Sequence, residues 1–294
     1  MTSIKKIFQE QFFARLNEDL IVLGGKPYPR FGQVVIMAGG AGSGKGFIKD
    51  KLVGVEGRVY DVDALKSLAT RAPKIIQRVK DELGIDLSQY DSTKNKTALK
   101  DPETVKKLHE IIGNHLVLDL KRRDQVFNSA FTAPPERKPN IIFDVTMKNM
   151  KNLYKYAGEM QNLGYDPKNI HIVWVVNKLE IALDQNLKRN RVVPKDIFLA
   201  THEGASMTMR NILQMGDDAR KYFDGDFVLA FNQANVDAQI EKSGRGGSHI
   251  KKGSANYVYV KRSGKGIDAS KLSNDVKRKI NDYVPDNVSW EVDF

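Results

Sequence analysis

The strongest constraint on the fold is a glycine-rich loop that directly follows a short apolar run. Residues 33–38 (QVVIMA) form the apolar run, typical of a strand buried on both faces. Gly39, Gly44 and Lys45 then satisfy the spacing G-x-x-x-x-G-K, and a helical stretch follows at 47–52. In a strand–loop–helix of this kind, backbone N–H groups and the helix N-terminus face a phosphate group, and the lysine reaches the outer phosphates. The alternative, a glycine-rich turn without a ligand, is disfavoured because all three parts occur in the required order.

The loop departs from the usual motif at its last position. Gly46 stands where Ser or Thr normally supplies a hydroxyl ligand for Mg²⁺. A metal ion would then depend on the phosphates, water and a carboxylate, or on Ser43. The predicted phosphate-binding residues are Gly39, Gly40, Ala41, Gly42, Ser43, Gly44, Lys45 and Gly46.

Further apolar runs predict a parallel sheet flanked by helices. They lie at 58–62, 140–145, 170–176 and 226–231, and helical patterns separate them. We therefore expect an α/β fold of the P-loop NTPase type, with its core at 33–235. An amphipathic helix within 1–32 is predicted to pack on this core, a helical insertion to span about 66–137, and a basic extension to occupy 236–294. Asp101 and Pro102 predict the start of one insertion helix running to about Phe127.

Composition narrows the possible functions. The chain has no cysteine, which excludes a disulfide framework, a thiolate zinc site, an iron–sulfur cluster and a cysteine nucleophile. Charged residues interrupt the first 20 positions, and no apolar run approaches the roughly 20 residues that span a bilayer. We therefore expect a cytoplasmic protein, neither secreted nor inserted in a membrane.

The chain has a net charge of +11, and within the predicted extension residues 242–265 contain seven lysines and arginines and no acidic residue. There, Tyr257 and Tyr259 alternate with other residues of a strand-like stretch near several lysines and arginines. Such a pattern can bind nucleic acid, because cations contact phosphates and aromatic rings stack on bases. The alternative, slightly favoured, is a solubilising tail whose tyrosines pack on the core.

Carboxylates follow the second predicted strand. Asp61 and Asp63 come at its carboxyl end, and strand ends of a parallel sheet share one crevice, so we expect them near Lys45. Asp63 could accept the proton of an attacking hydroxyl. The alternative is that Asp63 caps the helix beginning at Ala64. Lys66 could contact a phosphate, although a solvated helix position is more common.

The third predicted strand ends in Asp144, followed by Val145 and Thr146. An aspartate after an apolar strand beside a phosphate loop is typical of an acid that holds Mg²⁺. Asp144 is accordingly the predicted metal ligand.

Arginines follow the fourth strand at Arg189 and Arg191, ahead of Pro194. A charge run on a helix is usually solvated. A phosphoryl-transfer enzyme, however, uses arginines of a mobile lid to stabilise the transferred group. Both arginines can face the site if the helix ends between them, which Pro194 favours. His202 is expected to be a hydrogen-bonded loop residue and not a metal ligand.

Taken together, these residues resemble the P-loop kinases of the zeta-toxin family, relatives of polynucleotide kinases. The resemblance rests on 39–45, on D-V-D-A-L-K at 61–66, on 142–146 and on R-N-R at 189–191. It implies that Lys45 binds ATP, Asp63 is the base, and Arg189 and Arg191 contact phosphates. Asp144 and Thr146 would lie near the substrate, as would Asp61 and Lys66. The sequence departs from the family at Gly46, at Asp144-Val145 in place of Glu-Gly, and in the extension.

Three hypotheses follow. The leading one is an ATP-dependent kinase that phosphorylates a hydroxyl of a nucleotide-like small molecule, such as the UDP-activated amino sugar of zeta toxins, with Mg²⁺ as cofactor. A polynucleotide acceptor bound by the basic extension is the first alternative. A regulator that binds nucleotide without turnover, because of Gly46, is the second. The acceptor, the oligomeric state and any inhibitory protein partner are left open.

Overall fold

A computed structural model describes residues 30–51, 53–189, 191–232, 240–242, 248–250, 255–272 and 274–285. The amphipathic helix predicted near the N-terminus lies outside these residues. Among the described helices, none is both long and apolar enough to cross a membrane.

A six-stranded sheet forms the centre of the molecule, in the order β2-β3-β1-β4-β5-β8. The first five strands are parallel, and the last pairs antiparallel with its neighbour. A separate two-stranded pair is formed by β6 and β7. The strands are β1 (Val34–Ala38), β2 (Arg58–Tyr60), β3 (Ile141–Asp144), β4 (Ile170–Val176), β5 (Phe227–Asn232), β6 (Ile240–Lys242), β7 (Ser248–Ile250) and β8 (Ala255–Lys261). The predicted parallel α/β architecture is confirmed.

Helices cover both faces of the sheet, which explains why the central strands consist mainly of apolar residues. Every residue of β1, β4 and β5 is buried, as expected for strands covered on both sides. The α-helices are α1 (Lys45–Lys51), α2 (Val62–Ala69), α3 (Pro73–Leu83), α4 (Pro102–Glu110), α5 (Leu118–Phe131), α6 (Met150–Asn162), α7 (Leu179–Lys188), α8 (Lys195–Gln214) and α9 (Asn274–Asn281). Short 3₁₀ helices lie at Leu87–Tyr90, Pro135–Arg137, Pro167–Asn169, Gly216–Lys221 and Ala269–Lys271.

The connection between β2 and β3 is helical, and part of it has a small core of its own. Apolar residues from α2 to the end of α4 and beyond form a cluster separate from the main core. It contains Ala69, Val79, Leu87, Leu99, Val105, Leu108, Ile111, Ile112 and Leu116. Val126 and Ala130 of α5 join the main core instead, so this helix ties the connection to the sheet.

The single helix predicted from Asp101 to about Phe127 is wrong. Asp101 does cap α4, accepting a hydrogen bond from the Thr104 N–H at 2.9 Å. The helix then widens into a π-helical segment, Ile111–His115, and breaks at Val117, whose φ is 52°. This break lets Leu116 pack in the small cluster while α5 packs on the sheet.

Part of the predicted C-terminal extension, within residues 257–284, packs against the core. β8 adds to the edge of the sheet, and Tyr257 and Tyr259 pack against the apolar cluster on one of its faces. Ile280 and Tyr283 are buried in the cluster on the other face. A 3₁₀ turn at Ala269–Lys271 precedes α9.

Candidate functional site

The loop between β1 and α1 has a backbone that only glycine accommodates at two points. Gly39 has a φ of 143°, and a Cβ atom there would collide with the Val175 carbonyl of β4. Gly44 has a φ of 94°, and its Cβ would collide with the side-chain amide of Asn232. The glycines at these positions therefore let the loop lie against the ends of β4 and β5.

Lys45, the first residue of α1, curls back over the loop. Its Nζ donates hydrogen bonds to the carbonyls of Gly39 at 2.7 Å and Gly40 at 3.1 Å. Burial lowers the pKa of Lys45, while the charges of Asp144 and Asp63 oppose that shift. The three charges therefore lie in one cluster, as the sequence predicted.

Helix α8 clamps the loop from outside. The peptide of Ala41 is held on both sides: its N–H donates to Thr201 Oγ1 at 3.4 Å, and its carbonyl accepts from His202 Nε2 at 2.8 Å. Burial lowers the pKa of His202 to about 4, so the ring is neutral at pH 7. His202 is hydrogen-bonded, as predicted, but it lies within α8 and not in a loop.

The end of β5 holds the other side of the loop. Asn232 Nδ2 donates to the Ser43 carbonyl at 3.2 Å. The Ser43 side chain is itself buried beside Gly39, and its Oγ has no hydrogen-bond partner among the described residues. This burial disfavours the suggestion that Ser43 replaces the missing metal-binding hydroxyl.

The two aspartates after β2 have different functions. Asp61 caps α2, because its Oδ1 accepts hydrogen bonds from the N–H groups of Asp63 at 2.8 Å and Ala64 at 3.3 Å. The alternative that Asp63 is the cap is therefore wrong. Asp63 lies in the first turn of α2, where its side chain is free of capping and faces the cluster around Lys45.

Asp63 is the centre of a small ion-pair network. Its carboxylate pairs with Lys66 at 3.1 Å and, through a short contact, with Arg191 Nη2. Burial alone would raise the pKa of Asp63, but the charges of Arg191 and Lys66 outweigh it and lower the pKa to about 2. Lys66 is therefore a buried partner of Asp63 and not a solvated surface residue.

Both arginines lie just beyond the end of α7, which stops at Lys188. Arg189 has extended backbone angles, so the helix ends before either arginine. The side chain of Arg189 is exposed to solvent, and the charges of Arg191, Asp63 and Asp144 act on it. The helix therefore ends before both arginines and not between them, and that both side chains face one site stays a prediction.

The chain after the arginines is fixed by two neighbours. The buried side chain of Asn186 accepts from the Val193 N–H at 3.0 Å and donates to its carbonyl at 2.8 Å. The N–H of Val192 donates to the carbonyl of Leu99 in the β2–β3 connection at 3.0 Å. The helical connection thus touches the arginine segment directly.

Asp144 ends β3 beside the loop. Burial raises its pKa, opposed by the charge of Lys45. Lys49 of α1 approaches its carboxylate at 3.6 Å. Thr146 contributes its main chain, because its carbonyl accepts a hydrogen bond from the Gly39 N–H at 3.4 Å.

Sequence reasoning missed four residues that build this site. They are Lys49, Asn186, Thr201 and Asn232. Lys49 had a signal, since it lies four residues after Lys45 on the same helix face. Asn232 also had one, because it ends a predicted strand at the edge where ligands bind. The other two depend on contacts between distant segments.

The fit of these residues to Mg²⁺ is incomplete. In the described part of the chain, no three His, Asp or Glu side chains are grouped as a metal site. Mg²⁺ commonly uses one or two carboxylates together with phosphates and water. Asp144 offers a carboxylate, but it is paired with Lys49, and Gly46 offers no hydroxyl. The usual hydroxyl-and-carboxylate arrangement is therefore not available here.

Comparisons with known proteins gave similarities to solved structures. No family model matches the chain, and no match was found among curated proteins. Among solved structures, the chain is similar to one of the PezAT toxin–antitoxin system of Streptococcus pneumoniae, with 12% identity over 79% of this chain and 78% of that one, and a TM-score of 0.42. It is also similar to AvrRxo1-ORF1:-ORF2 with ATP, with 10% identity over 87% and 73% and a TM-score of 0.40.

With TM-scores below 0.5, these similarities carry no argument about the fold or the function of the chain. The parallel sheet and the loop at 39–46 carry the assignment of the fold.

Proposed function

We propose that the protein is an ATP-dependent kinase that transfers the γ-phosphate to a hydroxyl of a nucleotide-like small molecule. The observation that carries this proposal is the position of Asp63. Its ionised carboxylate interacts electrostatically with Lys45 and is paired with Arg191. A carboxylate and an arginine beside a phosphate loop are the groups that transfer to an alcohol requires.

The chemistry divides among these side chains. The acceptor oxygen attacks the γ-phosphorus, the bond to the β–γ bridging oxygen breaks, and the acceptor proton passes to Asp63. Lys45 and the loop N–H groups hold the β- and γ-phosphates. Arg189 and Arg191 stabilise charge on the transferred group, which is the main source of rate enhancement in such reactions.

Arg191 has two partners in this scheme. In the described structure it pairs with Asp63, which keeps the pKa of that carboxyl at about 2. The γ-phosphate of ATP competes for the same guanidinium. As Arg191 turns to the phosphate, Asp63 becomes a stronger base, so nucleotide binding prepares the group that accepts the proton.

The acceptor class is the finer part of the proposal. A nucleotide-like molecule such as a UDP-sugar is what the resemblance to zeta toxins implies, and Asp144 and Thr146 are the residues proposed to lie near it. A cytoplasmic location stays a prediction from the sequence. Mg²⁺ stays a prediction from the sequence, with Asp144 as its proposed ligand.

The test is a γ-phosphate transfer assay that offers UDP-sugars, nucleosides, 5′-hydroxyl oligonucleotides or no acceptor in parallel. We expect label on a small nucleotide-like acceptor and none with Lys45→Met. The control is Lys74→Met, which removes the same charge at an exposed position of α3. Label on no acceptor, despite measurable ATP binding, would contradict the proposal.

A second candidate is favoured by Gly46. A nucleotide-binding regulator without turnover would bind ATP and form no ADP with any acceptor. The nucleic-acid alternative gains no support from the described residues, because Tyr257 and Tyr259 pack on the sheet and Lys261 is buried against Asp224 at 3.1 Å. Binding of oligonucleotides with an affinity that falls steeply as the salt concentration rises would support the nucleic-acid alternative.

A further inference from the structure

The side chain of Lys49 lies where the phosphate loop meets β3. It extends from α1, one helical turn beyond Lys45, and approaches the carboxylate of Asp144 at 3.6 Å. Its side chain is only 17% exposed, so the ammonium is largely enclosed. A lysine at this point places a fixed positive charge beside the carboxylate proposed for Mg²⁺.

Gly46 lacks the hydroxyl that usually serves as the second metal ligand, although there is space for one. A Cβ atom added at Gly46 would meet no other atom within 4 Å. A serine or threonine would therefore fit, and the absence of the hydroxyl is a property of the sequence and not of the packing. Two independent departures, Gly46 and Lys49, thus affect the same metal site.

The charged side chains around the loop carry a net positive charge, which favours the binding of a phosphate chain. Five cations, Lys45, Lys49, Lys66, Arg189 and Arg191, accompany four carboxylates, Asp50, Asp61, Asp63 and Asp144. The cluster has a formal excess of one positive charge without any metal ion. A triphosphate entering it meets attraction that does not depend on a divalent cation.

We infer that the Lys49 ammonium takes the place beside Asp144 that a divalent cation usually fills, so that nucleotide binding depends only weakly on Mg²⁺. The inference deepens the proposed function and rests on it to the extent that the loop binds a nucleoside triphosphate. Lys49 neutralises Asp144, which would otherwise repel the phosphates, and Gly46 leaves nothing to orient a metal ion. Lys49 is therefore a positioning residue for the bound nucleotide.

The test is direct measurement of the Kd for ATP by calorimetry, once with Mg²⁺ and once with EDTA. For the wild type we expect the two values to agree within about threefold, well under one decade. Lys49→Met leaves Asp144 uncompensated, so binding in EDTA should weaken and the ratio should exceed about tenfold. Lys74→Met, which removes an exposed lysine, should leave the ratio unchanged.

A gain-of-ligand variant tests the other half of the inference. Gly46→Thr adds the missing hydroxyl at a position with open space, and it should strengthen binding in Mg²⁺ but not in EDTA. Circular dichroism of each variant checks that it is folded.

The outcomes separate this inference from the proposed function. A wild-type ratio above about threefold, or a ratio unchanged by Lys49→Met, would overturn it. If the Kd ratios are as expected but no acceptor receives phosphate, the inference about Lys49 is supported and the kinase proposal is contradicted. An ATP affinity too weak to measure in both buffers would refute both.

Discussion

The different functions of Asp61 and Asp63 lead to the first prediction at the scale of single residues. Asp63→Asn removes the proton acceptor but keeps a similar shape, so we expect transfer to fall about 10²- to 10⁴-fold, the usual contribution of general-base catalysis. The Kd for ATP should not rise, because the γ-phosphate no longer competes with a carboxylate for Arg191. Asp184→Asn, at an exposed position of α7, is the matched control. Near-normal transfer by Asp63→Asn in the same assay would show that another group accepts the proton.

The ion pair between Arg191 and Asp63 gives the second prediction. Arg191→Met removes the charge that counteracts burial, so the pKa of Asp63 should rise from about 2. Transfer should also fall by about 10²- to 10³-fold, because one charge-stabilising donor is lost. Carboxyl-carbon NMR titration measures the first effect. Lys195→Met, at the exposed start of α8, controls for net charge, and an unmoved Asp63 pKa would exclude the pair in solution.

At this scale, residues within a motif could be predicted and their partners could not. Lys45, Asp63 and Arg191 were found because each lies at a fixed offset from a strand or a turn. Which aspartate capped α2 could not be decided from spacing, since either position can place an oxygen near the first N–H groups. The spacing of Lys49 from Lys45 can be read from the sequence, but its pairing with Asp144 cannot, because Asp144 lies on β3, far from Lys49 in the sequence.

At the scale of elements, the arginine segment depends on α7 and on the β2–β3 connection. Asn186→Ala leaves the N–H and carbonyl of Val193 without their partner, so we expect a loss of about 1–3 kcal/mol in the free energy of unfolding. Transfer should fall as well, because Arg191 loses its fixed backbone. Urea unfolding and the transfer assay check both effects. Asn211→Ala, at an exposed position of α8, is the control; equal stabilities of the two variants would contradict the prediction.

Element boundaries show where sequence patterns stop being informative. The strands were found because both of their faces are buried, which leaves a continuous apolar run. The break at Val117 was missed because no Gly or Pro marks it in the sequence. It results from packing on two different surfaces. The chain from α4 to Leu116 packs in the small cluster, whereas α5 packs on the main core.

At the scale of the whole molecule, the C-terminal segment is where long-range pairing overrides composition. Its basic residues suggested a tail, yet β8 completes the sheet and Lys261 is buried in a pair with Asp224. The amine also donates to the Lys265 carbonyl at 2.7 Å. The number of lysines in a segment cannot distinguish an exposed charge from one that holds the sheet edge to the chain entering β5.

Two buried histidines predict how the stability of the whole molecule depends on pH. Burial lowers the pKa of His171 to about 3 and that of His202 to about 4. His171 is held by Gln33 Oε1 at 2.8 Å and by the N–H of Asp226 at 2.9 Å, so its ring is neutral in the folded chain. Above the ordinary histidine pKa of about 6.5, neither the folded nor the unfolded chain binds a proton there.

Below pH 6.5 the unfolded chain binds these protons and the folded chain does not, so stability falls as the pH falls. The loss is about 1.4 kcal/mol per pH unit for each histidine, hence about 2 kcal/mol each between pH 6.5 and pH 5. It stops growing once the pH is below about 4 for His202 and about 3 for His171. Carboxylates whose pKa is lowered on folding contribute little in the window from 6.5 to 5, because they titrate near pH 4 in the unfolded chain. Asp144, whose pKa burial raises, binds its proton more readily in the folded chain and acts in the opposite direction.

Urea unfolding at pH 7.5 and pH 5 measures this loss, which we expect to total about 4 kcal/mol. His202→Gln keeps a donor for the Ala41 carbonyl but cannot titrate, so it should reduce the loss by about 2 kcal/mol. His109→Gln, at an exposed position of α4, should leave the loss unchanged. Equal stabilities at the two pH values would mean that water reaches both rings. The clamp of α8 on the phosphate loop would then be open in solution.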